Sequence, residues 1–308
     1  MTRSAELLLA SLIDYAGTFP PAGLTLSDAI AAYDHDRCSP RRSILGRFVI
    51  AADQLGEFES IAPTLATARD GCWNLTVVGT RDSMPTSERL LRFNQMWKDR
   101  ATIVSVEFAP MPPADVQSVA QDVPPKIDVF FEVASDNASV SLEQIAFSGA
   151  RAKVRTGGVV SGAFPDAETL AGFLEECRAA HVAFKATAGL HHPLRGLYPV
   201  TYDADSPRAN MHGFLNVAVA AAFVRAGAVR MTAVDVLKES SVDAFVFTDE
   251  GVNWRGSRLS ANQFVDARQQ FFVAFGSCSF TEPVDELVRL GVVSVEAGSV
   301  ARPRAEVP

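Results

Sequence analysis

The chain has 308 residues, 48% of them hydrophobic and 21% charged, with a net charge of −8 and a pI near 5.2. That balance suits a soluble globular protein with one large core. It excludes disordered and membrane-spanning classes, since no window approaches about 18 uninterrupted apolar residues. An acidic chain without a basic stripe also argues against nucleic acid as a partner and for a small molecule.

The run AELLLASLIDYAG near the N-terminus is broken by Asp14 and lacks a convincing cleavage site, so it does not read as a signal peptide. Strand-like apolar runs then recur at LIDY (12–15), GRFVIAA (46–52), NLTVVGT (74–80), TIVSVEFA (102–109), IDVFFEVA (127–134), RAKVRTGG (151–158) and VAFKATAG (182–189). Most are rich in Val, Ile, Phe and Thr, as strands buried on both faces are. Helical segments lie between them. SLEQIAFSGA (141–150) opens on a Ser141 cap, and FPDAETLAGFLEECRAA (164–180) on a proline with acids in its first turn.

Residues 190–212 are turn-rich and read as a long loop, and GFLNVAVAAAFVRAGA (213–228) reads as a buried helix. DAFVFTDEGVNWRG (243–256) reads as a β-hairpin, NQFVDARQQ (262–270) as a helix and FFVAFGSCSF (271–280) as an eighth strand. The pattern predicts an α/β protein: a single (β/α)8 barrel of the TIM type over 1–296, with right-handed crossovers. A late insertion at about 190–260, loop plus hairpin, falls between strands seven and eight, and 297–308 read as a disordered tail. An open doubly wound sheet is the rival. Cys38, Cys72, Cys177 and Cys278 are scattered without a CxxC pair, which fits a reducing, cytoplasmic setting. Cys278, with no thiolate-stabilising neighbour in sequence, reads as a small strand residue.

The lysines stand out. Of 28 basic residues, five are Lys (Lys98, Lys126, Lys153, Lys185, Lys238) and the rest are Arg. Yet both strands that end in AKVRTGG and FKATAG carry Lys. Arg stays charged, whereas a desolvated Lys can lose its proton and attack a carbonyl. Two lysines facing each other in a barrel lumen are expected to depress each other's pKa. Against this stands the plain reading, a lysine snorkelling from a strand end. Gly157, Gly158 and Gly189 just beyond the lysines favour the catalytic one, because ligands approach the backbone at that end of barrel strands.

The order and spacing of these segments resemble deoxyribose-phosphate aldolase, a class I aldolase of the (β/α)8 fold. One strand of that family carries K-x-S-T-G and the next F-K-x-A-G-G; here KVRTG (153–157) is followed by FKATAG (184–189), with the lysines 32 residues apart. LIDYAG is similar to the family's L-I-D-H-T, NLTVVGT to T-V-V-G-F, and VDARQQFFVAFGSCSF to A-D-A-R…F-G-A-S-S. The resemblance implies that Lys153 is a Schiff-base nucleophile and Lys185 its electrostatic partner, with no cofactor. It implies that Thr156, Gly157, Gly189, Ser277 and Ser279 line the substrate's far end, where the family holds a phosphate.

The chain departs from the pattern in three places. Ser105 stands where the family has its catalytic aspartate; Glu107, two residues on and on the same strand face, is the substitute, with Asp14 and Glu132 as alternatives. Leu190 replaces the second glycine of A-G-G. Arg155 replaces the serine beside the lysine, and is placed to bind a substrate carboxylate or phosphate. The expected partner is therefore a small carbonyl compound, phosphorylated or carboxylated, with a homodimer allowed.

Two other readings stay open. His191 and His192 have no counterpart in the motif; either they line the substrate site, or with His212 they bind a divalent metal ion in an isomerase or hydrolase. A barrel that merely binds a small anion through Lys153, Lys185 and Arg155 is the non-catalytic alternative.

Overall fold

The computed structural model describes residues 1–65, 71–136 and 138–294. Its centre is a closed barrel of eight parallel strands, in the order β1 (Ile13–Tyr15), β2 (Leu45–Ala51), β3 (Trp73–Gly79), β4 (Ala101–Phe108), β5 (Asp128–Val133), β6 (Arg151–Arg155), β7 (Phe184–Thr187) and β13 (Phe272–Ser277). The last strand closes on the first, Asp14 lying opposite Gly276 in register. With helices alternating between the strands, this is the (β/α)8 barrel that the apolar runs predict, and not an open sheet.

The helices outside the barrel are α1 (Arg3–Leu9), α2 (Leu26–Arg37), α3 (Leu55–Ile61), α4 (Ser87–Trp97), α5 (Pro113–Gln121), α6 (Ser139–Ser148) and α7 (Ala167–Ala179), then α8 (Phe214–Arg225), α9 (Arg230–Lys238), α10 (Ala261–Gln270) and α11 (Thr281–Arg289). Thr25, Thr86, Asp166 and Ser260 cap α2, α4, α7 and α10 by accepting a backbone N–H of the first turn. Helix α6 starts at Ser139, so Ser141 lies inside its first turn and is not the cap. Helix α8 is buried from Phe214 to Val224, because α7, α9, α10 and β13 cover all its sides.

The insertion is more ordered than its sequence suggests. Residues read as a loop hold an antiparallel pair, β8 (Gly196–Pro199) and β9 (Arg208–Met211). The predicted hairpin gains a third strand: β10 (Phe245–Phe247), β11 (Gly251–Trp254) and β12 (Ser257–Ser260) form one antiparallel sheet. No helix among the described residues is long and apolar enough to cross a membrane. The expected tail at 297–308 lies outside the described residues.

Strand alternation sorts the barrel into two faces. In β7, Phe184 points outward and packs edge-on against Phe173 of α7, with ring centroids 5.3 Å apart. Its neighbour Lys185 therefore points into the lumen.

Candidate active site

Strand register assembles the site. Lys153 of β6 lies opposite Lys185 of β7 on one side and Glu132 of β5 on the other, so three ionisable side chains share one level of the lumen. Glu107 of β4 and Asp14 of β1 reach the same level. Lys185 Nζ donates to Asp14 Oδ2 at 2.5 Å and to Glu107 Oε1 at 2.6 Å. Glu107 Oε2 lies 3.3 Å from Lys153 Nζ, which is 3.0 Å from Glu132 Oε2. Glu132 also accepts from Arg155 Nε at 3.3 Å and Nη2 at 3.4 Å. The result is a chain of alternating charge: Asp14, Lys185, Glu107, Lys153, Glu132, Arg155. All five residues expected to be catalytic are in it, and Arg155 points the same way as Lys153, as two residues along a strand requires.

The row is almost dry, with Lys185 and Lys153 only 1% and 3% exposed. Burial pushes the Glu107 carboxyl up, but Lys185 and Lys153 outweigh it and bring the pKa down to about 2. Burial likewise opposes the charge on Lys185, yet Asp14 and Glu107 overcome it and raise its pKa. For Lys185 this corrects the expectation of a lowered pKa. A carboxylate sits between the two lysines, and Lys185 is held as an ammonium.

Because the folded pKa of Glu107 lies below its ordinary value of 4.5, its contribution is complete above that pH and is lost as pH falls toward about 2. The loss expected is on the order of 3 kcal/mol. Urea unfolding of the wild type and Glu107→Gln across that window checks it: the acid-side loss should shrink in the variant, and equal slopes would refute the assignment.

Below the row, Ser105 hydrogen-bonds Thr76 Oγ1 at 2.6 Å and accepts from Arg47 Nη1 at 3.3 Å. It serves the barrel floor and not the row of charges above it. Arg47 and Arg151 also bind Asp128, at 2.9 and 3.0 Å. The ring of Phe130 separates the layers, with Lys185 Nζ at 5.6 Å and the Arg47 and Arg151 guanidinium carbons at 5.8 and 5.7 Å from its centroid. Gly46 makes room for Asp14, since a Cβ there would stand 2.5 Å from Oδ1. The Arg47 backbone N–H then donates to that oxygen at 2.8 Å. Sequence reasoning missed Arg47 and Phe130, whose residue types look ordinary for floor and core.

Above the row opens a cavity of about 390 Å³, lined by Lys153, Lys185, Glu107, Arg155, His191 and Cys278 among others. The residues that the family resemblance assigns to a phosphate seat are engaged with neighbours within the chain. Cβ atoms built on Gly157 and Gly189 would stand 2.4 and 2.7 Å from the ring of Phe164, so that ring packs against both glycines. Thr156 spends its hydroxyl on the Ala188 carbonyl at 2.6 Å, and Ser277 on the Ser279 carbonyl at 2.6 Å. Ser279 Oγ accepts the Glu282 backbone N–H at 3.1 Å. Gly158 and Gly189 do line the cavity. Gly189 has φ +73°, and its Cβ would also meet Gly157 Cα at 2.9 Å. Gly189→Ala is therefore expected to cost about 1–3 kcal/mol in chemical denaturation, and a neutral substitution would show that the contact relaxes freely.

The three imidazoles that the alternative reading gives to a metal go to different partners. His191 Nδ1 faces Glu282 Oε2 at 3.1 Å, and His192 Nδ1 faces Glu286 Oε1 at 2.9 Å while its ring stacks on Tyr198. His212 is buried away from the cavity with Nε2 on the Pro165 carbonyl at 2.8 Å, and burial lowers its pKa to about 4. Among the described residues, no group of three or more His, Cys, Asp or Glu has a metal-holding arrangement. Nor is Cys278 a plain strand residue: its sulfur lies 3.8 Å from His191 Nε2 and 3.8 Å from the Tyr202 hydroxyl. Its partners are 87 and 76 residues away, which is why they do not show in sequence.

Comparison of the chain with protein-family models, curated proteins and solved structures finds no match.

Proposed function

We propose that the barrel is a lyase of the class I aldolase type, in which Lys153 forms an imine with a small carbonyl compound and the adjoining C–C bond is made or broken. The observation that carries this reading is the buried Lys153–Glu107–Lys185 bridge at the cavity floor, Glu107 giving one oxygen to each lysine. Lys153 has a carboxylate on either side, at 3.0 and 3.3 Å, so a proton acceptor stands ready when a carbonyl carbon arrives. Lys185 is committed to two carboxylates and supplies charge in place of a nucleophile.

Attack by Lys153 Nζ gives a carbinolamine, loss of water gives an iminium, and the iminium draws in the electron pair of the neighbouring C–C bond. Glu107 takes the proton of the hydroxyl on the departing carbon as that bond breaks and returns one to the enamine carbon, and water then hydrolyses the iminium and frees Lys153. Arg155, half exposed and steadied by Glu132, is the group to meet a carboxylate on a keto-acid or sugar-type substrate. The ring of Phe164 over the glycine pair favours a substrate without a terminal phosphate. The anion-binding alternative is disfavoured because Lys153, Lys185 and Arg155 are each already paired with a carboxylate.

The test is borohydride reduction in the presence of a panel of aldehydes, ketones and keto acids, followed by peptide mass spectrometry. A reduced adduct on Lys153 supports the reading and shows which carbonyl compounds fit. An adduct on Lys185 reverses the two roles, and no adduct in a folded protein ends the proposal.

A further inference from the structure

The cavity holds a second set of reactive groups that the lysine chemistry leaves idle. We infer that Cys278 is a nucleophile activated by His191, and that the pair takes the acyl group of a small, uncharged ester or thioester. Cys278 follows β13 directly and lines the same cavity as the lysines. His191 Nε2 stands 3.8 Å from its sulfur, and His191 Nδ1 3.1 Å from Glu282 Oε2. A carboxylate only accepts, so Nδ1 carries a proton and Nε2 is the atom that exchanges one with the thiol. Tyr202 donates to the same Glu282 oxygen at 3.0 Å and touches the sulfur, fixing the carboxylate from the solvent side.

Nucleophile, base and orienting carboxylate thus stand in the order that makes a cysteine reactive. Burial works against a proton on His191, yet its contacts with Cys278 and Glu282 outweigh it and raise its pKa, which favours Nε2 as the acceptor when a proton leaves the sulfur.

The surroundings indicate the ligand class. The Ala16 backbone N–H donates to the Ser277 carbonyl at 2.7 Å, which sets the loop carrying Phe19, Pro20 and Pro21 beside Cys278. Those three side chains line the cavity and are apolar, which suits an uncharged acyl group. In the reaction, His191 Nε2 removes the thiol proton as sulfur bonds to the carbonyl carbon. The carbon–oxygen or carbon–sulfur bond to the leaving group breaks, and the leaving group takes that proton from Nε2. Water, deprotonated by Nε2, then adds to the acyl carbon; the bond to Cys278 breaks, and the thiol recovers the proton.

The experiment exposes the full chain to p-nitrophenyl acetate and locates acetyl groups by peptide mass spectrometry, with hydroxylamine to separate thioesters from lysine amides. Cys38 is exposed and serves as the internal comparison. Cys278 should acquire a hydroxylamine-labile acetyl at least about tenfold faster than Cys38, and His191→Gln should slow it by roughly 100-fold. Acetylation of Cys38 with Cys278 untouched and no sustained release of p-nitrophenol would overturn the assignment, as would an unchanged rate in folded His191→Gln. The comparison with Cys38 holds within the wild type, so it stands even where the variant fails to fold. Borohydride trapping reads Lys153 and this experiment reads Cys278, so failure of one leaves the other intact.

Discussion

Methionine at position 153 is expected to cut turnover, on any substrate found by trapping, by a factor on the order of 10,000 or more. Methionine keeps the length and the apolar stem of lysine but has no amine to form an imine. The fold should survive the change, because both carboxylates around Lys153 keep a second cation: Glu107 retains Lys185 and Glu132 retains Arg155. Loss of activity with a cooperative melting transition would therefore report chemistry and not collapse. Turnover within about tenfold of wild type would remove Lys153 from the nucleophile's role.

Methionine at position 185 should have its larger effect on stability, about 3–5 kcal/mol, seen as a fall in Tm on the order of 10 °C. Lys185 is the cation that Asp14 contacts, and Asp14 is 1% exposed. Without it Asp14 keeps a hydrogen bond from the Arg47 backbone but faces a dry lumen, and Glu107 keeps only half of its compensation. Pairing Lys185→Met with Asp14→Asn should restore part of the loss, since the cost comes from the stranded charge and not from the missing bond. A Tm within about 1 °C of wild type would show that water reaches the row and screens it.

Much of this arrangement was legible in the sequence. Buried parallel strands leave contiguous Val-, Ile- and Phe-rich runs, so all eight barrel strands could be read directly. A lysine inside such a run, in a chain that otherwise prefers arginine, marked Lys153 and Lys185. Period-two alternation then brought in Glu107 and Arg155. The antiparallel pair β8–β9 escaped because GLYP and RANM are only four residues each, and the alternation in RANM is too short to stand out from a turn-rich stretch. The ring packed against Gly157 and Gly189 belongs to Phe164, which lies outside the motif and so could not be read from it. The Cys278–His191 contact forms between segments that only barrel closure brings together, and no local pattern records it.

The alternating row has a consequence for how divisible the molecule is. Asp14 and Lys185 are 171 residues apart and meet across the closing strand β13, which lies between β1 and β7. The half of the barrel through β4 carries Asp14 and Glu107, both acids, while the later half carries both lysines with Glu132 and Arg155. Neither half can neutralise itself. Within this row the two halves are electrostatic complements, so a cut between β4 and β5 would strand buried acids on one side and buried lysines on the other.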